Sequence, residues 1–242
     1  MATSGKKGIY DGSVNRSKEE PFQSERLAFT GRIAASIAHE IRNPLGNVSM
    51  AVQQLRDAFT GDSPWAKHIE VIIRNTERID FLITELLNCA RPPKLNIRSH
   101  DIHTILESAL GSIKTKIASQ RITVSKGFNS QMSMITVDKE QIARVFTNVM
   151  LNAVEAMPGG GKMTITTEIE EDFLVVKIRD TGEGMPEEDI MRIFDPFFST
   201  KPSGVGLGLS TTYGIIVSHG GTIGVESERN GGTLFAISLP IK

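Results

Sequence analysis

Apolar residues recur at Ile33, Ile37, Ile41, Leu45, Val48, Val52 and Leu55, steps of three and four that predict a helix with one buried stripe. The helix is expected from near Pro21 to about Phe59. Thr60-Gly61-Asp62-Ser63-Pro64 then turns the chain, with Ser63 able to cap and Pro64 able to start the next helix. That second helix carries Trp65, Ile69, Ile72, Ile73, Thr76, Ile79, Ile83, Leu86 and Leu87 on its inner side and stops at Arg91-Pro92-Pro93. An antiparallel hairpin with one seam per helix cannot enclose a core by itself. A two-fold dimer forming a four-helix bundle is the simplest remedy, and packing on the rest of its own chain is the other.

After Ser99 the pattern changes. A helix is expected from about Asp101 to Ser119, then strands at Ile122-Thr123-Val124 and from Met132 to Val137, then a helix from Asp138 to Met157. Pro158-Gly159-Gly160-Gly161 leads into two strands, Lys162 to Glu170 and Phe173 to Arg179. Alternation at Met163, Ile165, Leu174, Val176 and Ile178 points to one face buried on helices. A Gly-rich stretch precedes a helix from Gly206 to His219, and strands from Thr222 to Glu226 and from Thr233 to Leu239 end the pattern. The fold class is therefore α plus α/β, a helical hairpin followed by a two-layer α/β sandwich with a mixed sheet.

A chain of 242 residues has room for two such domains. The expected boundaries are a flexible leader at 1–20, the hairpin at 21–91, a linker at 92–99 and the sandwich at 100–242. A hydrophobic share of 39% with 23% charged residues belongs to a globular chain, not a disordered one. The net charge of -1 gives no bulk attraction to nucleic acid or to a membrane surface, so neither partner is expected. The single cysteine, Cys89, excludes an internal disulfide and fits a reducing compartment. No apolar run reaches the roughly 18 residues of a membrane span. These features together predict a cytoplasmic location, or the soluble part of a larger protein.

Candidate chemistry sits off the apolar stripes. His39, followed by Glu40 and one turn later by Asn43, lies on the polar face of the first helix beside Arg32, Ser36 and Arg42, so its imidazole is a candidate nucleophile. Pro44 removes an N–H and crowds the Glu40 carbonyl, so a kink is expected beside His39. Asn148 and Asn152 stand one turn apart beside an apolar face and can present amide groups to phosphate and to a hard cation, although that spacing alone more often marks an ordinary polar stripe. Asp180-Thr181-Gly182-Glu183-Gly184 directly follows a strand. Its glycines permit close backbone approach, and its carboxylate can accept from an exocyclic amine. Phe194 to Lys201 sets three aromatics beside a lysine, an anchor with a cation next to it. Gly206-Leu207-Gly208 opens a helix whose first N–H groups form an anion site that Lys201 can share.

Taken in order, Asn148/Asn152, Asp180–Gly184, Phe194–Lys201, Gly206–Gly208 and Gly232-Thr233 resemble the N, G1, F, G2 and G3 boxes of sensor histidine kinases. His39 to Pro44 matches the phosphoacceptor motif His-Glu-x-x-Asn-Pro of the same family, and the resemblance covers about residues 24 to 242. It implies a dimerisation and histidine phosphotransfer domain, forming a homodimer through residues 21–91, followed by an ATP-binding domain of the gyrase and chaperone superfamily. It implies ATP and Mg2+ as cofactors, Asn152 as the metal ligand, and Asn148 near the phosphates. Asp180 would read the adenine amine with Thr233 assisting. Gly182, Gly184, Gly206, Leu207, Gly208 and Lys201 would border the nucleotide under a lid from about Pro196 to Val205. His39 would take the γ-phosphoryl group with Glu40 as base, Asn43 would orient water for the reverse phosphatase reaction, and the receiver domain of a response regulator would be the next acceptor. The resemblance thus implies a protein-histidine kinase. The alternatives are a dimeric ATP-binding scaffold without transfer and a gyrase-like ATPase, which would need a base at Asn148. Two residues depart from the family pattern. Glu155 stands where a basic residue is common, a loss for which Lys201 can substitute, and Val205 stands where a threonine is common.

Overall fold

The structure, a computed structural model, describes residues 8–10, 41, 44–55, 65, 67–76, 79, 95–129, 133–201 and 206–241. The chain divides into two compact units, Pro21–Arg91 and the remainder. In the first unit residues 44–55 (α1) and 67–76 (α2) are helical. Val52, Ile69 and Thr76 are buried there, whereas Ile41, Val48, Leu55, Ile72 and Ile79 of the same stripes keep between 40% and 49% of their surface exposed. His39, Glu40, Asn43, the turn at 60–64 and the segment that would carry the Pro44 kink lie outside the described residues.

The second unit comprises β1 (Gly8–Tyr10), β2 (Arg98–Asp101), α3 (Ile102–Ser112), α4 (Lys114–Ser119), β3 (Ile122–Phe128), β4 (Met134–Val137) and α5 (Lys139–Glu155), in chain order. After these come β5 (Gly161–Glu170), β6 (Phe173–Arg179), α6 (Glu187–Ile190), α7 (Gly208–Ser218), β7 (Thr222–Glu228) and β8 (Gly232–Pro240). A six-stranded sheet runs β1-β7-β8-β6-β5-β3. It is mixed: β3 lies parallel to β5 and every other pair is antiparallel. Strands β2 and β4 form a separate antiparallel pair.

Period two decides the sheet's covered face. Met163, Ile165, Leu174, Val176, Ile178, Ile223, Val225, Phe235, Ile237 and Leu239 are buried in one cluster with Ile105 and Leu106 of α3. Ile142, Val145, Phe146, Val149 and Met150 of α5 complete it. Helix α5 thus spends its apolar face on the sheet and leaves Asn148 and Asn152 on the adjoining face. Asp138 starts it: Oδ1 accepts from the N–H of Glu140 and of Gln141, each at 3.1 Å, and Oδ2 accepts from the N–H of Asn96 at 2.8 Å. Burial pushes this carboxyl up. The three backbone donors and nearby His219 outweigh it and hold the carboxyl below its ordinary range.

Three expectations need correction. Residues 8–10, assigned to a flexible leader, pair with β7, Ile9 opposite Glu226. The open backbone edge of β7 recruits an extended segment too short to show alternation. Strand β2 crosses the boundary expected between linker and sandwich, since Arg98 and Ser99 pair with Val137 and Thr136. The single helix expected from Asp101 to Ser119 breaks at Ile113 (φ -108, ψ 6), where Gly111 weakens the turn and the Ser112 hydroxyl donates to the Ala109 carbonyl at 2.7 Å.

Candidate active site

Strand β6 ends at Arg179, and Asp180 follows it into the interior, 3% exposed. Its Oδ1 accepts from the N–H of Gly182 at 2.8 Å and of Thr233 at 3.2 Å, and its own N–H donates to the Thr233 carbonyl at 2.9 Å. The carboxylate therefore clips the end of β6 to the start of β8, with one oxygen held by two backbone donors. Burial raises its pKa above the ordinary value; the Gly182 and Thr233 N–H groups and the Arg179 charge pull the other way without cancelling it. Thr233 is itself fixed from below. Ser227 gives its one hydroxyl proton to the Gly232 carbonyl (3.0 Å), so the Thr233 hydroxyl donates to Ser227 Oγ at 2.9 Å, and the Met185 N–H donates there too. Ser227 was not among the expected site residues. Its signal was a polar residue in the inward phase of β7, in step with buried Ile223 and Val225.

Three glycines around Asp180 leave no room for a Cβ. At Gly184 (φ 62) a Cβ would meet the Glu228 carbonyl, and at Gly232 (φ 81) it would meet the Asp180 carbonyl. At Gly182 it would lie 2.5 Å from the Ala156 carbonyl, beside the point where the Glu183 N–H donates to that same oxygen at 3.0 Å. The turn after β6 thus lies directly on the C-terminal end of α5.

The two asparagines reach different neighbours. Asn148 Nδ2 donates to the Gly208 carbonyl at 3.3 Å and to Thr212 Oγ1 at 3.5 Å, joining α5 to the first turn of α7. No side chain caps α7 at Leu207, whose carbonyl accepts the Thr211 N–H at 3.0 Å. Asn152 Oδ1 accepts from Lys201 Nζ at 3.1 Å, and the same ammonium lies 2.5 Å from Glu155 Oε2. The segment before Lys201 is anchored by Phe194, buried with its ring 5.5 Å from that of Tyr213. Arg192 stacks over Phe198 at 4.4 Å, while Phe197 turns outward at φ 66 and donates its N–H to the Gly206 carbonyl at 3.0 Å. Of the expected lid, residues 202–205 lie outside the described residues.

Asn148, Asn152, Asp180, Gly182, Gly184, Lys201, Gly206, Leu207, Gly208 and Thr233 all belong to this second unit, and α5 runs between the Asp180 turn and the α7 start. A buried carboxylate, the start of α7 and an amide oxygen facing an ammonium are the polar groups this unit gathers along α5. Among the described residues no group of three or more His, Cys, Asp or Glu is placed to hold a metal. A divalent ion would therefore depend on Asn152 Oδ1, which here accepts from Lys201 Nζ, and on oxygens of the ligand.

Two family profiles match the sequence. Residues 137–242 match the Histidine kinase-, DNA gyrase B-, and HSP90-like ATPase family, and residues 30–93 match the His Kinase A (phospho-acceptor) domain. The chain belongs to the sensor histidine kinases. Sporulation kinase C of Bacillus subtilis (strain 168) is 35% identical over 221 residues, which are 91% of this kinase chain and 51% of that protein. The chain thus spans about half the length of that relative. The catalytic domain of histidine kinase ThkA is 30% identical, covering 60% of this chain and 96% of that one at a TM-score of 0.55. A crystal structure of ThkA in complex with response regulator protein TrrA is 27% identical, covering 95% of this chain and 67% of that one at a TM-score of 0.65. No helix among the described residues of this kinase is long and apolar enough to cross a membrane.

Proposed function

We propose that the chain is an ATP-dependent protein-histidine kinase that phosphorylates His39 and passes the phosphoryl group to an aspartate of a response regulator's receiver domain. The observation that carries the reading is the buried Asp180 carboxylate, oriented by the N–H groups of Gly182 and Thr233 at one end of α5. Its second oxygen accepts from the adenine amine, with Thr233 assisting. The start of α7 at Gly208 and the Lys201 ammonium meet the phosphates. Asn152 holds Mg2+, which when bound neutralises phosphate charge.

In the transfer itself the imidazole of His39 forms a nitrogen–phosphorus bond, the β–γ bridging bond breaks and ADP leaves. Glu40 accepts the proton from the other ring nitrogen. A neutral imidazole keeps one ring nitrogen's lone pair free and is therefore nucleophilic. Asn148 is an amide and cannot deprotonate water, which favours a side chain over water as acceptor. Asn43 orients water for dephosphorylation of the regulator. Homodimerisation through 21–91 is supported by Val48, Leu55, Ile72 and Ile79, apolar seam residues that one chain leaves between 40% and 49% exposed. The regulator as next acceptor is supported by the ThkA–TrrA complex. Incubation with γ-labelled ATP and Mg2+ should give an acid-labile label, absent in His39→Gln. A label of unchanged strength in that variant would overturn the assignment.

A further inference from the structure

Lys201 and Glu155 are 46 positions apart in sequence, yet Lys201 Nζ lies 2.5 Å from Glu155 Oε2 and 3.1 Å from Asn152 Oδ1. Glu155 is one turn beyond Asn152 on α5, so the helix offers two oxygens, one charged and one neutral, to a single ammonium. A bare carboxylate at this place would repel a polyphosphate, and a loose lysine would lose entropy on every encounter with one. Pairing removes both costs, because the carboxylate is neutralised and the ammonium is already placed. Two cations on one amide oxygen repel each other, so with a metal on Asn152 the ammonium would leave Oδ1, and Glu155 would limit how far it goes.

Resting on the ATP-binding reading above, we propose that Glu155 is the positioning residue of Lys201, keeping its ammonium at the phosphate subsite with or without a metal on Asn152. The side chains of Lys201 and Glu155 are 38% and 42% exposed, so substitutions here leave the core intact and the pair is weak enough to rearrange.

The test is a double-mutant cycle read by calorimetric titration of AMPPNP, with excess Mg2+ and again in EDTA. Lys201→Met is expected to weaken binding about tenfold or more, since it removes a charged contact and bares the Glu155 carboxylate. Adding Glu155→Gln to that variant should recover about threefold or more, while Glu155→Gln alone should not tighten binding. The Lys201→Met loss should be larger in EDTA, where the ammonium is the cation left at Asn152. Independent effects, with Glu155→Gln acting equally in both backgrounds, would overturn the proposal alone, provided that wild type binds AMPPNP and Asp180→Asn binds it more weakly. Failure of the wild type to bind AMPPNP would overturn the ATP-binding reading and this proposal with it.

Discussion

Asp180→Asn separates binding from stability. The substitution keeps the size and the oxygen that accepts from Gly182 (2.8 Å) and Thr233 (3.2 Å), and it exchanges the other oxygen for an NH2. Burial raises the Asp180 pKa above 3.8, so the ionised carboxylate is less favourable in the fold than in the unfolded chain. Its contribution to stability is greatest below that unfolded value and is lost as pH rises through the folded one. At neutral pH the amide removes this penalty, while its two N–H bonds weaken because the acceptor is neutral. The opposing effects leave a net change within about 1 kcal/mol, or about 2–4 °C in Tm for a domain of this size.

Binding has no such compensation. A charge-assisted bond to the adenine amine, worth about 1.5–3 kcal/mol, is replaced by a donor facing a donor. Affinity for AMPPNP should fall about 10- to 150-fold by calorimetry. In the wild type, affinity should also decline as pH falls through the raised Asp180 value, and Asp180→Asn should lack that decline. A variant whose affinity is unchanged, or whose loss of binding merely tracks a collapse in Tm, would contradict the role given to this carboxylate.

Asp138→Ala removes the α5 cap and leaves the Asn96 N–H without its acceptor, and urea unfolding should show a loss of about 2 kcal/mol. Because the folded Asp138 carboxyl lies below 3.8, its contribution is present above that pH and lost as pH falls through the folded value, so wild type and variant should converge in acid. Gly232→Ala places a Cβ against the Asp180 carbonyl at φ 81, which should cost about 2–4 kcal/mol in urea unfolding and weaken AMPPNP binding beyond that loss. Ile72→Asp puts a charge on an apolar seam residue left 42% exposed by one chain, and sedimentation should show the mass shift from dimer towards monomer with AMPPNP affinity of the second unit unchanged.

Legibility in the sequence tracks the range of each interaction. Alternation at Leu174, Val176 and Ile178, and the 3.6-residue stripe from Ile142 to Ala153, are local signals, and both elements stand where they were expected. Strand β2 left none, because Arg98-Ser99-His100-Asp101 holds no apolar residue and exists as a strand through pairing with β4. The short helix α6 follows Pro186 and, at four residues, has too little length for a period. The candidate residues were readable as an ordered set of motifs, but their contacts were not. Asp180 meets Thr233 across 53 positions, and Lys201 meets Glu155 across 46, distances over which spacing carries no information. A basic partner for the phosphates was expected from Lys201; its carboxylate neighbour emerged only from the fold.

Sheet order also bears on biosynthesis. Strand β8 is the last described element to leave the ribosome, yet it lies between β7 and β6 in the interior of the sheet and supplies Thr233 to Asp180. Until Gly232–Pro240 has emerged, β6 has β5 but lacks the second of its two antiparallel neighbours, and the Asp180 carboxylate lacks one of its two donors. Strand β6 must therefore wait, with one backbone edge unpaired, for the pairing that only translation of β8 permits. Nascent chains arrested before position 232 should engage chaperones and bind no nucleotide. Chains extended past 241 by a linker long enough to clear the exit tunnel should bind nucleotide and release the chaperones.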